Sequence, residues 1–433
     1  MSEEPAQKPR RTAPPAPRRR RVDGGRPVRP VAQRNLELDA GGAATVAIRS
    51  AGLHPLIFRK MVQGPVGEVL PQPGDLVRVV DRDQTHLGWG LWNPRSQIAL
   101  RLLSRGAEAP DAGFWQTALE RAVALRRELL RLDEAGNAYR VVHAESDGLS
   151  GLIVDRFDDV LSIECFSRGM YERIEAIATR LVRLLPVKHY RVHVDDWVAG
   201  AEDFAARPIS SAGTPPAVVI EEHGIRYRVR FEGAHKTGFF CDQRENRKRL
   251  AVFCRDRGVL DLCCYTGGFG LNAIKRGGAR EVTCVDLDEN AIALARENAN
   301  LNQVRVGFVH ADAFGYARQM GANGRKYGAI VLDPPKLIGS RDEISQGKRK
   351  YFDLNVLTMG LVEAGGVLLT CSCSGLLGGD EFLSLLRAAA RQAGRRVRML
   401  HQGGAAADHP VALDVPETGY LKAVWLVVDD ATT

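Results

Sequence analysis

The sequence predicts an α/β protein: a C-terminal parallel sheet covered by helices, preceded by a small β-rich unit and a mixed α+β segment. Three observations carry this expectation. After Val218, short apolar runs alternate with helical stretches. Three successive runs close on, or just before, an aspartate: Asp261, Asp286 and Asp312. Between Thr45 and about Ser104 the runs are instead short, alternating and broken by turns, as in a compact all-β module.

The first 44 residues read as a basic, Pro/Arg-rich disordered tail, because repelling arginines and scattered prolines cannot build a core. Residues 1–34 hold ten Lys/Arg against three acidic residues, hence +7 of the formal +8. The remaining body is nearly neutral, so nucleic-acid binding cannot be argued from overall charge. The tail is either a solvated segment or a salt-sensitive RNA tether. Eight dispersed cysteines and the lack of a long apolar run lead us to expect reduced thiols, no membrane partner and a cytoplasmic location.

Thr45–Ile48, His54–Met61, Leu76–Val80, His86–Trp92 and Ile98–Leu103 are the expected strands of the unit at 45–105. Pro73-Gly74-Asp75, Asp81-Arg82-Asp83 and Asn93-Pro94 are its turns. The segment 106–215 opens with an amphipathic helix over Phe114–Leu132. Strands at Tyr139–Ala144, Leu152–Phe157 and Val160–Phe166 follow, then a helix at Arg173–Leu185 and a strand at Arg191–Val194. Pro208–Pro216 marks a boundary. The unit 216–433 begins with a hairpin over Val218–Phe231 and continues with strands at Gly258–Leu262, Glu281–Asp286, Val306–His310, Gly328–Asp333 and Gly366–Cys371. Helices are expected from Gly270, from Glu289 and around Phe352–Glu363.

The first of these strands runs into Cys263-Cys264-Tyr265-Thr266-Gly267-Gly268-Phe269-Gly270. A Gly-rich strand-to-helix turn lets a ligand approach the backbone and presents helix N-terminal amides. The spacing is neither G-x-G-x-x-G nor a P-loop. Asp261 would repel a phosphate there but suits a cation such as a sulfonium or an amine. Asp286 is placed to accept ribose hydroxyls, and Asp312-Ala313-Phe314 to meet an adenine. Each Asp alone reads as a turn or cap residue; three at successive strand ends around one Gly turn mark a ligand site.

These motifs, with Asp333-Pro334-Pro335-Lys336, resemble those of class I S-adenosylmethionine-dependent methyltransferases. From about Thr45 the chain resembles the bacterial family of large-subunit ribosomal RNA cytosine-C5 methyltransferases. The likeness rests on His54-Pro55 through Phe58-Arg59, on Lys236-Thr237-Gly238-Phe239-Phe240 with Asp242 through Arg247, and on Ser372-Cys373-Ser374. It implies a PUA domain, an α+β middle domain and a Rossmann-like class I methyltransferase domain. It further implies S-adenosylmethionine as cofactor, 23S ribosomal RNA as partner (free or in an assembling large subunit), and leaves a homodimer open. Cofactor contacts are expected from Phe240, Gln243, Arg244, Asp261, Tyr265, Thr266, Gly267, Gly268, Asp286, Asp312 and Ala313. Substrate contacts are expected from Lys236, Pro334, Pro335 and Lys336.

Cytosine C5 does not take a methyl group unaided; a thiolate added at C6 makes it nucleophilic. Thr370-Cys371-Ser372-Cys373-Ser374 supplies two thiols. By match to the family pattern Cys373 is the nucleophile and Asp333 hydrogen-bonds the cytosine, with Cys371 as fallback. Pro335 is followed by Lys336, not by a cysteine, which implies a one-cysteine scheme with its proton-removing base unassigned. Two other readings compete: a thiol-independent methyltransferase acting on a purine nitrogen, and a non-catalytic RNA-binding assembly protein.

Overall fold

A computed structural model describes residues 31–37, 43–49, 52, 54–233 and 237–431. The first 30 residues of the expected tail, and Lys236, lie outside the described residues. The tail expectation is corrected at its C-terminal end. Residues 31–37 are packed: Leu36 is buried in the core of the middle unit, and Arg34 pairs with Asp75 and Glu172. One apolar residue with a neighbouring cation that finds two carboxylates is enough to dock this stretch, and composition alone does not reveal it.

The β-rich unit is a six-stranded sheet with the order 56–58, 98–104, 86–92, 76–80, 45–48, 62–66. Alternating residues such as Val46, Val77, Val79 and Leu100 fill its core. The strand Val62–Val66 was not expected, since it contains Gly64 and Pro65. It lies at the sheet edge, where a proline removes no ladder bond.

In the middle unit the first helix runs over Ala112–Ala124, with Asp111 accepting from the Phe114 amide at 2.8 Å. It does not continue to Leu132 as expected. A π-turn over Leu125–Leu129 follows, and Arg131 takes a left-handed conformation that ends the run. Trp115, Leu119 and Ile177 pack with a five-stranded sheet that includes 138–143, 152–157 and 160–165. Within the expected boundary, Ile209–Ser210 is a short strand on His189–His193 of the same sheet. The hairpin Ala217–Glu222 and Ile225–Arg230 then packs Tyr227 and Val229 with Phe157 of the middle sheet.

The C-terminal sheet has seven strands: β1 (Gly258–Leu262), β2 (Glu281–Asp286), β3 (Gly307–His310), β4 (Tyr327–Leu332), β5 (Val362–Ser372), β6 (Arg395–Gly403) and β7 (Lys422–Asp430). Their order is β3-β2-β1-β4-β5-β7-β6, with β1 to β5 parallel and β7 antiparallel to both neighbours. β1, β4 and residues 366–372 of β5 are buried on both faces and are mostly apolar. The strand order reverses beside β1, so the carboxyl ends of β1, β2 and β4 surround a natural ligand crevice. The helix before β5 starts at Ile344, two turns earlier than expected, behind the capping box of Ser340 and Glu343. No helix among the described residues is long and apolar enough to cross a membrane.

Candidate active site

Asp261 is the penultimate residue of β1, fully buried. Its Oδ2 accepts from the Gly270 amide at 2.9 Å, while Oδ1 has no hydrogen-bond partner. Removal from water, with the charge of Asp286 beside it, pushes its carboxyl up to about 7. Gly270 is required here: a Cβ at this position would stand 2.3 Å from Cys284 Sγ on β2. Gly267, at φ +82°, turns the chain into the helix.

Asp286 ends β2 half-buried, accepting from the Tyr265 amide at 2.7 Å and the Asp288 amide at 2.9 Å. Asp312, exposed after β3, caps the next helix through the Gly315 amide at 2.8 Å. Ala313 follows it, half-buried, and Thr266 is buried in the Gly turn. Asp312 is therefore a helix cap, and its carboxylate retains lone pairs beyond that one amide contact. Asp333 follows β4; its Oδ2 accepts from Gln243 Nε2 at 2.9 Å, and loss of water, with Asp242 nearby, pushes it up to about 7.

Cys263 lies among these groups. Burial, and then the nearby charges of Asp286, Asp333, Asp261 and Asp312, push its thiol up. Burial and charge thus oppose every anion here, and a positively charged ligand fits the corner. The rings of Phe240 and Tyr265 meet edge to face, their centroids 5.1 Å apart. The Tyr265 hydroxyl donates to the Gly238 carbonyl at 3.2 Å. This segment is held from the middle unit: Thr237 Oγ1 donates to Asp155 at 2.6 Å and its carbonyl accepts from Ser162 at 2.9 Å.

Arg244, expected against the cofactor, is buried and paired with Asp408 through bonds of 3.0 and 2.8 Å, a partner its sequence neighbourhood gave no sign of. Arg247 is likewise committed to Glu222. Basic residues in an exposed-looking run can be structural ions whose partners lie far away in sequence.

Cys373 follows β5, one strand over from Asp333. It is half-buried, whereas Cys371 is fully buried and its thiol is pushed well up by burial and by Asp333. The two loops are tied together. Ser374 Oγ accepts from the Ile338 amide at 3.1 Å and contacts the Tyr351 hydroxyl at 3.0 Å. In the Asp333 loop Pro334 is buried, while Pro335 and Lys336 are exposed beside this opening. Sequence reasoning gave no role to Asp408 or Lys422 and quoted Ser374 only as part of a motif; each has at least one partner far away in the chain.

A family model described as S-adenosylmethionine-dependent methyltransferase matches residues 149–426. A protein of Tolumonas auensis named ribosomal RNA large subunit methyltransferase I is 40% identical over 379 residues, covering 86% of this chain and 94% of its own. The chain belongs to this family of S-adenosylmethionine-dependent ribosomal RNA methyltransferases. A methyltransferase of the same name from Shewanella frigidimarina is 38% identical with the same coverage. A PUA-like model matches residues 47–105, the six-stranded unit of this methyltransferase. Two solved structures share the fold at 18% identity, each covering 88% of this chain and 99% of its own. One, described as a SAM-dependent methyltransferase candidate from Streptococcus mutans, has a TM-score of 0.73; the other, a methyltransferase candidate complexed with SAH, has 0.71. S-adenosylmethionine, a cation, suits the carboxylate-lined corner with its unsatisfied Asp261 oxygen.

Proposed function

We propose that this chain methylates C5 of a cytosine in 23S ribosomal RNA, with Cys373 as the covalent nucleophile. The observation that carries the reading is the pairing of two adjacent strand ends: a half-buried thiol after β5 and a near-neutral carboxyl after β4, locked to each other through Ser374. Bound S-adenosylmethionine supplies an electrophilic methyl group. Asp261, Asp286, Asp312 and Ala313, with Phe240, Gln243, Tyr265, Thr266, Gly267 and Gly268, form the surface that holds it. Arg244 is left out of that set.

The Cys373 thiolate adds to C6 of the ring, forming an S–C6 bond and making C5 nucleophilic. Asp333, pushed up to about 7, retains a proton near neutral pH that it can donate to the ring nitrogen beside C4, drawing off charge as the thiolate adds. C5 then takes the methyl group, leaving S-adenosylhomocysteine. An unassigned base removes the C5 proton, the electron pair left behind expels the Cys373 thiolate from C6, and the ring nitrogen returns its proton to Asp333. Pro334 and Pro335 hold the loop that grips the base, and the roles proposed for Lys236 and Lys336 are contacts to RNA phosphate. The units 45–105 and 106–215 serve RNA holding and support, and 216–433 the chemistry.

Mass spectrometry of ribosomal RNA nucleosides, with and without this gene, tests the reading. One 5-methylcytosine should vanish, returning with the intact gene but not with Cys373→Ala. Loss of a methylated purine instead would overturn it in favour of a nitrogen-directed enzyme.

A further inference from the structure

Lys422 opens β7 opposite Ser372, the last residue of β5 before Cys373. Its side chain is 8% exposed, and Nζ donates to the Ser374 carbonyl at 2.7 Å and the Tyr420 carbonyl at 2.8 Å. The ammonium is therefore fixed between carbonyls on two chain segments, one of them the residue directly after Cys373. A buried lysine ordinarily pairs with a carboxylate. Among the described residues none pairs with Lys422. We infer that Lys422 is a positioning residue for Cys373: its fixed ammonium holds positive charge beside the sulfur and favours the thiolate.

Burial pulls Lys422 down to about 8, and Cys373 acts in the opposite sense, favouring the charged amine. That coupling is mutual, since each partner's charged form favours the other's. The other titratable groups at this corner are Cys371, Asp333, Asp242, Tyr351 and Tyr420, none of which can carry a positive charge. Arg247 is spent on Glu222. The inference rests on Cys373 being the nucleophile, but its test reads the thiol directly.

The test is iodoacetamide alkylation of the full-length protein across pH, with modification at Cys373 followed by peptide mass spectrometry. In the natural protein the midpoint should lie below the free-cysteine value of about 8.5. In Lys422→Met it should rise by about one pH unit or more, and Lys422→Arg should restore most of the difference. Turnover of Lys422→Met should fall about tenfold with the KM for S-adenosylmethionine unchanged. A natural midpoint at or above 8.5 overturns the inference even if no variant folds, as does an unmoved midpoint in folded Lys422→Met. A shifted midpoint together with full turnover by Cys373→Ala would instead leave Lys422 acting on the thiol and remove the nucleophile reading.

Discussion

Gln243 donates its side-chain amide to Asp333 across 2.9 Å, joining the segment ahead of the sheet to the turn after β4. Asn246 holds the other end of that amide at 2.7 Å, so Gln243 has one orientation only. Gln243→Ala should push the Asp333 carboxyl further up, because the bond it loses favours the charged form. The alkaline limb of the kcat profile, where Asp333 loses the proton it donates, should move to higher pH, and S-adenosylmethionine affinity should fall because Gln243 also lines the proposed cofactor surface. An unmoved limb would detach Asp333 from the pH profile.

Cys373→Ala should lower methyl incorporation into RNA by about a thousandfold or more, as loss of a covalent nucleophile does. Cys371→Ala should keep turnover within about tenfold and cost stability, since its buried thiol fills the core. A rapid-quench methyl-transfer assay on both variants separates them. Equal losses would end the assignment of one cysteine to chemistry and the other to packing.

Asp261 and Asp333 are both pushed up to about 7 in the folded chain, against about 4 when unfolded. The folded state therefore binds protons more tightly between those values, and its stability should fall as pH rises from about 4 to 7. Asp408 works in reverse. Its carboxyl is held far below the usual range, chiefly by His409 and Arg244 against the cost of burial, so its contribution is lost in strong acid. Melting temperature without ligand should peak at about pH 4, and the fall above it should flatten in Asp261→Asn. S-adenosylmethionine, a cation, should bind more tightly at pH 8 than at pH 6; calorimetry at the two values checks the sign.

Gly270→Ala would place a methyl group 2.3 Å from Cys284 Sγ and 3.5 Å from Asp261 Oδ2. Forcing these apart should cost about 1–3 kcal/mol of stability and loosen the turn beneath the cofactor. Denaturant unfolding beside S-adenosylmethionine titration is the check. Full stability would mean that β2 gives way more easily than its packing implies.

Arg244→Ala should remove about 3–5 kcal/mol by leaving Asp408 buried with part of its partners gone. Cofactor affinity of the folded fraction should be unchanged. A large fall in affinity at full stability would return Arg244 to the binding surface.

Much of this site was legible because it is built from local rules. Asp261, Asp286 and Asp312 fall where an apolar run meets a turn, and the parallel sheet brings such points to one edge. Cys373 and Asp333 share that edge for the same reason. What stayed hidden depends on long-range pairing. The partners of Arg244 and Gln243 lie 164 and 90 residues away, and Lys422 reaches Ser374 across 48. Side-chain type cannot say whether an arginine meets solvent or a buried carboxylate. The dock of Leu36 escaped notice because one apolar residue in a basic stretch carries no periodic signal.

Asp408 takes the Arg140 amide at 2.8 Å on Oδ2 and the Arg244 guanidinium on both oxygens, while its carbonyl receives Arg126 at 2.7 Å. Arg126 and Arg140 come from the middle unit, Arg244 from the approach to the sheet. The halves of this polypeptide are therefore not interchangeable parts. A chimera that joins the front of one relative to the back of another would inherit this junction from two parents. Unless positions 126, 140, 244 and 408 travel as a set, the hybrid would carry an ion without its counterpart at its seam.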